Sequence, residues 1–293
     1  MFSRGFKGSR VNPKGFAMNQ LGFYIVLVPL AVLMVLPIVF IINTAFKPFN
    51  ELFLWPPRFF VINPTMENFA DLLRMMGRSN MPVSRFIFNS FGSSLLVCVF
   101  SVGLSLQAGY VLSKKRFKLK KTLFSINTIS LMFVPTAVLV PRYLLIERAQ
   151  LIDTFAILVL PMLAMPVGLF LVKQFIDQVP DSLIEAARID GAKEWYIIRK
   201  IVAPIVKPAL VTVAILSFQT SWNSHEAATL FINDDSLRTF SFFVNAMGAD
   251  AANQVAVQGM IAASSLILFM PNLIIFVIMQ SQILNTMAHS GIK

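Results

Sequence analysis

The chain contains six long stretches of apolar residues that are almost free of charged side chains. A helix that crosses the hydrocarbon core of a bilayer needs about 20 mainly apolar residues. Only Lys207 carries a charge inside these stretches, and it lies at an edge, from which its ammonium group can reach the headgroups. Each stretch is therefore predicted to be one transmembrane helix. The predicted spans are residues 21–42, 86–112, 122–140, 154–172, 205–222 and 259–283.

The composition agrees with a membrane protein. Hydrophobic side chains make up 56% of the chain, charged ones 13%, and the mean hydropathy is +0.72, which is more apolar than an ordinary soluble domain. These values predict an all-α, polytopic membrane protein. Prolines are expected to interrupt or kink its helices. The prolines within the predicted spans are Pro29, Pro37, Pro135, Pro161, Pro166 and Pro271.

The distribution of Lys and Arg predicts how the spans are oriented. Basic residues close to a span are retained on the cytoplasmic side of the membrane. With the N-terminus inside, the inner segments hold 17 of the 25 basic residues and the outer segments hold 9 of the 14 acidic ones. We therefore expect both termini in the cytoplasm, a cytoplasmic segment at residues 1–20 and a transmembrane domain at residues 21–293. The net charge of +11 reflects this topology and contact with membrane lipid, and we expect no nucleic-acid partner.

Two segments between the predicted spans are long and face outside. Residues 43–85 contain five prolines and are predicted to be mostly extended, with a short helix at Met66–Met75. Residues 223–258 mix charged and apolar side chains, as in a surface that meets an external partner or, more commonly, in a solvated loop.

The inner segment at residues 173–207 is predicted to form two helices joined by a turn. Ser182, with Glu185 three residues later, fits the capping-box pattern at the start of a helix. Gly191 ends this helix, because glycine adopts the left-handed conformation without a side-chain penalty. A second helix follows, so the predicted hairpin covers residues 181–201.

Local rules leave two interpretations of this hairpin open. The small side chains of Ala186 and Ala187 let another protein approach the backbone closely, as a docking surface requires. Alternatively, the hairpin is amphipathic and lies on the headgroups, with Trp195 and Tyr196 as interfacial anchors. Physical rules alone slightly favour the second interpretation.

The segment resembles the EAA signature of binding-protein-dependent ABC transporter permeases. The pattern consists of Glu185-Ala186-Ala187, Gly191, Ile201 and Pro204, with Ala203 where the signature usually has Leu. In that family the segment is the coupling helix, which docks in a cleft of the ATPase subunit. The resemblance therefore implies an ATPase-coupling site formed by Ser182, Glu185, Ala186, Ala187, Arg188, Asp190 and Gly191.

Further stretches are similar to the MalG-type carbohydrate branch of this family. They are Asn89-Ser90 with Ala108–Leu112, Trp222-Asn223 followed by Leu237-Arg238-Thr239, and the ending Met287–Lys293. The resemblance implies the type I ABC importer permease fold, with six transmembrane helices and a coupling-helix hairpin, in the bacterial cytoplasmic (inner) membrane. Within the branch, the Pro-rich outer loop is similar to that of importers of larger or acidic oligosaccharides, alginate among them.

The resemblance also implies partners and an energy source. Relatives pair with a second, different permease subunit, two ATP-binding cassette subunits and an extracytoplasmic solute-binding protein, and ATP and Mg bind to the ATPase subunits. This chain has no Gly-x-x-x-x-Gly-Lys-Ser/Thr phosphate loop. Its two histidines, His225 and His289, and its single Cys98 show no metal-ligand spacing. We therefore expect a transport subunit that is not itself an enzyme, with no catalytic residue, no metal and no cofactor.

Neutral polar and aromatic side chains are the candidates for a substrate pathway. Amides bond sugar hydroxyls and aromatic rings stack on sugar faces, which makes Gln219, Asn223, Trp222 and Asn127 the candidates. The alternative is that these side chains bond neighbouring helices. The alternative function is a self-contained channel or an ion-coupled secondary carrier. A carrier would need ionisable groups at mid-membrane, and the six stretches have none there.

Overall fold

The computed structural model describes residues 21–78, 81–249 and 254–290, so the predicted cytoplasmic segment 1–20 and the last three residues of the chain lie outside the described ranges. Within these ranges every regular element is a helix, which confirms the all-α fold class. The α-helices are α1 Leu21–Phe46, α2 Phe49–Leu52, α3 Glu67–Arg78, α4 Val83–Lys114, α5 Lys120–Ser130, α6 Leu139–Arg148, α7 Leu160–Leu163, α8 Pro166–Asp177, α9 Asp181–Ile189, α10 Glu194–Tyr196, α11 Ala203–Ile205, α12 Lys207–Asn223, α13 Glu226–Phe231, α14 Phe240–Ala249 and α15 Gln254–Ser290. There are also 3-10 helices at Pro135–Val138, Phe155–Leu158 and Asp235–Leu237, and a π-helix at Ile197–Val202.

Three continuous helices in the described ranges are long and apolar enough to cross a membrane. They are α1, residues 84–114 of α4 and residues 257–280 of α15. These helices correspond to the predicted spans 21–42, 86–112 and 259–283, which are confirmed as single helices. The short outer helix predicted at Met66–Met75 is present as α3.

The fourth predicted span is a bent helix pair, whereas the fifth, residues 205–222, corresponds mainly to one helix, α12, which follows the segment Glu194–Ile205 across a sharp bend. Phe155–Leu163 and Pro166–Asp177 are bent by 42°, whereas Glu194–Ile205 and Lys207–Asn223 are bent by 86°. Pro166 begins the second helix of its pair, where a proline loses no backbone hydrogen bond that was available. If each bent pair is one span, the described ranges contain up to five spans.

The third predicted span is not one continuous helix. Helix α5 ends at Ser130, and Pro135 begins a 3-10 helix that leads into α6. Proline lacks a backbone donor and its ring clashes with the preceding turn of a helix, which explains the break. The prediction of a single helix at residues 122–140 is therefore wrong. The 11 residues of α5 and the 10 of α6 are each too few to cross a bilayer alone.

Helices are interrupted at some of the predicted prolines and continue through others. Helices break or begin at Pro135, Pro161 and Pro166. In contrast, Pro29 and Pro37 lie inside α1, and Pro271 lies inside α15, with no break in the helix. Membrane helices tolerate proline where neighbouring groups satisfy the freed carbonyls.

Helices α4, α8 and α12 pack around one buried cluster, which includes Tyr110, Val172 and Val213. Gly168 lies where the three helices meet. A Cβ atom at this position would stand 3.1 Å from the Ser105 hydroxyl oxygen and 3.2 Å from Cγ1 of Val213. Glycine therefore allows α8 to approach both neighbours closely, as small residues do at helix interfaces in membranes.

Gly259 of α15 lies so close to Asn68 of α3 that a side chain does not fit there. A Cβ atom would stand 2.2 Å from Oδ1 of Asn68, and the amide of Asn68 is held in place because it donates to the carbonyls of Ala45 (2.9 Å) and Lys47 (2.7 Å). We expect Gly259→Val to lower the free energy of unfolding by about 1–3 kcal/mol, measured through the thermal unfolding midpoint in detergent. The control is Gly103→Ala, whose added Cβ meets a single side-chain atom at 4.0 Å. Equal midpoints for the two variants would contradict the expected clash.

Candidate functional site

The predicted helix, turn and helix are present after α8, and we call this unit the hairpin. Its first arm is α9, and its second arm runs without a break from Glu194 to Ile205 through α10, the π-helix and α11. Gly191 lies in the turn with a φ of +79°. Its N–H donates to the carbonyl of Arg188 (3.0 Å), and the N–H of Ala192 donates to that of Ala187 (2.9 Å). These bonds form a Schellman motif, so the predicted role of Gly191 at the end of the first helix is confirmed.

The first arm begins without the predicted capping box. The residue before α9 is Pro180, and no side chain caps the helix. Ser182 therefore lies inside the first turn instead of at the cap position. The carboxylate of Asp181 accepts instead from the Lys114 ammonium at 2.7 Å, and this pairing lowers the pKa of Asp181. The bond ties the start of the hairpin to the last residue of α4.

The first arm has one buried and one exposed face. Ile184 and Ala187, three residues apart, are buried in the cluster that fills the space between α4, α8 and α12. The opposite face is exposed at spacings of three and four residues, and we call it the exposed stripe. It consists of Ser182, Glu185, Ala186 and Ile189, and Ile189 is 86% exposed. Of the three residues of the EAA motif, Ala187 therefore packs inward while Glu185 and Ala186 are accessible.

A hollow of about 580 Å³ opens between the two arms, next to the turn of the hairpin. Its lining includes Asp190, Gly191, Lys193, Tyr196 and Lys200. The hollow and the stripe together offer a contact surface with both apolar and charged groups. Within the described ranges there is no group of three or more His, Cys, Asp or Glu side chains that could hold a metal ion. The arrangement at the hairpin fits docking of another protein.

Two of the candidate pathway residues join α12 to α15. Trp222 is buried, and its indole N–H donates to the carbonyl of Leu268 at 2.8 Å. The amide oxygen of Asn223 accepts from the amide of Asn272 at 3.0 Å. These contacts favour the alternative interpretation, in which the polar groups bond neighbouring helices.

The other two candidates lie in different surroundings. Gln219 is half-buried on α12, one turn before Asn223. Asn127 lies on α5 and donates to the carbonyl of Pro166 at 3.2 Å. It lines a mainly apolar hollow of about 400 Å³ between α4, α5 and α8, together with Ser130. The structure therefore does not gather the four candidates into one polar site.

A set of contacts at the other end of α4 was missed by the sequence reasoning, and we call it the clasp. The buried amide of Asn89 donates to the carbonyls of Ser236 (2.7 Å) and Arg238 (3.0 Å). The hydroxyl of Ser90 accepts from the N–H of Phe240 at 2.7 Å. Asn89-Ser90 and residues 236–240 are separate stretches of the sequence, although they are in contact across 147 to 150 positions in the fold. The similarity of both stretches to the MalG-type branch was the sequence signal that could have indicated this contact.

The long apolar helices, the bent pairs and the hairpin define an all-helical, multi-pass membrane protein. The chain belongs to the family of binding-protein-dependent transport system inner membrane components, whose family model matches residues 101–282. This match includes the hairpin and confirms the resemblance to ABC transporter permeases.

Individual relatives agree with the family. The chain is 26% identical to the inner membrane ABC transporter permease protein YcjP of Escherichia coli K12, over 94% of this chain and 97% of the relative. It is 29% identical to the melibiose/raffinose/stachyose import permease protein MelC of Bacillus subtilis 168, over 78% of this chain and 81% of the relative. A solved chain of a bacterial ABC transporter involved in the import of the acidic polysaccharide alginate superposes with a TM-score of 0.76 at 18% identity, covering 92% of this chain and 99% of that one. The fold is therefore that of a type I ABC permease.

Proposed function

We propose that the chain is a permease subunit of an ATP-driven ABC importer, which moves a carbohydrate across the bacterial cytoplasmic membrane by alternating access. The family, whose members work with a binding protein, supports import. In this proposal residues 21–293 form the transmembrane domain with six spans, the third of which lies near residues 122–140 and includes α5, and both termini are cytoplasmic. The chain binds no cofactor, since ATP and Mg belong to the partner ATPase.

The observation that carries the proposal is that the hairpin is buried in the bundle on one side and exposed on the other. Ile184 of the first arm and Ile197 and Ile198 of the second belong to the same buried cluster as Tyr110 of α4. Because protein interiors are close-packed, a displacement of the hairpin is passed to the helices it packs against. The exposed stripe leaves Ile189 uncovered, as is common at a protein contact site.

This packing also bears on the choice between docking and lying on the headgroups. A helix that lies on a membrane turns its apolar face toward the acyl chains. The apolar face of the first arm is turned toward α4, α8 and α12, where Ile184 is 2% exposed. Trp195 and Tyr196 remain exposed on the second arm, at 58% and 56%, and are free for lipid or for protein. The docking interpretation is therefore the better supported one.

The partners follow from the same proposal. A second permease subunit completes a heterodimer, two ATP-binding cassette subunits dock against the hairpins, and a solute-binding protein meets the outer loops. The substrates named for MelC support an oligosaccharide as cargo. An acidic oligosaccharide such as alginate is the narrower proposal, and it depends on the Pro-rich outer loop at residues 43–85.

Reconstitution tests the function directly. The chain is purified alone and in a complex with its second permease and ATPase subunits, and both preparations are placed in liposomes with labelled oligosaccharide and the binding protein. We expect uptake by the complex with ATP and no uptake by the single chain. Uptake by the single chain without ATP would overturn the proposal in favour of a channel or an ion-coupled carrier. Thermal-shift measurements of sugars on the binding protein then identify the cargo.

A further inference from the structure

One carboxylate joins both arms of the hairpin to the C-terminal end of α4. Glu194 begins the second arm, and its Oε2 accepts a hydrogen bond from the Tyr110 hydroxyl at 2.7 Å. Its Oε1 accepts from the Lys115 ammonium and lies 3.2 Å from a guanidinium nitrogen of Arg188. Tyr110 lies near the end of α4 and Lys115 directly follows this helix, whereas Arg188 belongs to the first arm. Glu194 is therefore the shared partner of three side chains from two other segments.

The carboxylate of Glu194 balances the positive charges of the two cations beside it. The bond from Lys115, followed by the bond from Tyr110, lowers the pKa of Glu194, so this group is ionised at neutral pH. The Lys115 ammonium also lies 6.0 Å from the ring centroid of Tyr110, whose side chain is buried. Two cations face one anion. Loss of the negative charge leaves the cations of Lys115 and Arg188 next to each other with no anion between them.

We infer that Glu194 is a positioning residue that fixes the hairpin to α4, so that movement of a docked ATPase is passed to the transmembrane bundle. This inference rests on the proposed function and extends it, since Glu194 stands outside the EAA pattern that predicted the docking residues. The burial of Ile197 and Ile198 also holds the second arm in place. The effect of the Glu194 charge therefore has to be distinguished from the effect of packing. Substitutions that change the charge and the shape of this side chain separately make the distinction.

Two substitutions distinguish charge from shape. Glu194→Gln keeps the shape and removes the charge, whereas Glu194→Asp keeps the charge on a shorter side chain. In liposomes containing the complete transporter, we expect Glu194→Gln to lower the amount of substrate moved per ATP hydrolysed by about tenfold, within the usual range of coupling between two sites. Glu194→Asp is expected to retain more of this ratio than Glu194→Gln. If packing alone mattered, the order of the two variants would be reversed.

The matched control is Glu147→Gln, the same change at an exposed position near the end of α6. A ratio for Glu194→Gln equal to that of this control would overturn the inference, and so would a lower ratio for Glu194→Asp than for Glu194→Gln. If Glu194→Gln does not assemble, Tyr110→Phe removes one hydrogen bond of the cluster and is expected to lower the ratio by about threefold. An unchanged ratio for Tyr110→Phe would then overturn the inference. A wild-type complex without ATP-dependent uptake would instead refute the proposed function.

Discussion

Replacement of Gly191 by valine is expected to lower substrate-stimulated ATP hydrolysis by the assembled transporter at least about tenfold, while the transmembrane bundle stays folded. The φ of +79° is unfavourable for a β-branched residue, and holding a residue other than glycine in a strained region costs about 1–3 kcal/mol. Among the residues that the structure describes, no atom beyond Gly191 and its two chain neighbours lies within 4 Å of the position that a Cβ would occupy. The effect therefore arises from the backbone angle and not from a steric clash. The turn relieves the strain by changing the angle between the two arms, and this moves the exposed stripe.

Asparagine at the same position is the control, because it tolerates the left-handed conformation better than other residues with a side chain. We expect Gly191→Asn to keep most of the ATPase stimulation and the normal yield of ATPase subunit in co-purification. The two variants are compared in the same liposome preparation, with thermal unfolding as a check on the fold. If valine and asparagine give the same stimulation, the geometry of this turn does not control coupling.

Features that depend on a few neighbouring residues were predictable from the sequence. The turn at Gly191 was predicted because a left-handed residue at the end of a helix is a local requirement. The break at Pro135 shows the limit of such rules. A run of apolar residues indicates that a segment prefers lipid or a core, but it does not indicate whether the backbone continues as one helix. Helix α5 stops short of Pro135, which begins a 3-10 helix, whereas α15 continues through Pro271, since the outcome depends on the neighbouring groups.

The capping box predicted at Ser182 is absent because other interactions determine where the helix begins. Ser182 and Glu185 have the right spacing, but Pro180 occupies the position before the helix and Asp181 is drawn to Lys114. The helix thus begins two residues earlier than the capping pattern requires, at Asp181 instead of residue 183. A bond between residues 114 and 181 depends on how α4 packs against the hairpin, and no window of neighbouring residues contains it.

The contacts that join distant segments were not predictable for the same reason. Glu194 is 84 positions from Tyr110. Its three partners are ordinary polar residues in the sequence, without a spacing that marks them as a group. The clasp at Asn89 is similar, because an asparagine in an apolar span fits a substrate pathway as well as a helix contact. The packing of the bundle decides between these roles, and at Asn89 it favours the structural one.

Substitution of Asn89 by alanine is expected to lower the free energy of unfolding by about 2 kcal/mol and to loosen the loop at residues 232–239. A buried carbonyl that loses its donor costs about 1–3 kcal/mol. Asn89 is 1% exposed and donates to two carbonyls, but Nε of Arg85 also donates to that of Ser236 at 3.1 Å. The main loss therefore falls on the carbonyl of Arg238, which accepts from Asn89 at 3.0 Å. The thermal unfolding midpoint and the amide hydrogen exchange of residues 232–239 measure the two effects.

Asn233→Ala is the matched control, because this asparagine is exposed on the same loop and its substitution removes the same amide from solvent. We expect the control to change the free energy of unfolding by less than about 0.5 kcal/mol, as surface substitutions do. The backbone N–H of Asn233 keeps its bond to the Asp153 carboxylate at 3.0 Å in that variant, so the loop stays anchored on its other side. Faster exchange in Asn89→Ala alone would show that α4 holds the loop through this side chain. Equal unfolding midpoints and equal exchange in the two variants would mean that the loop is held by its apolar residues, such as Phe240, and not by the amide of Asn89.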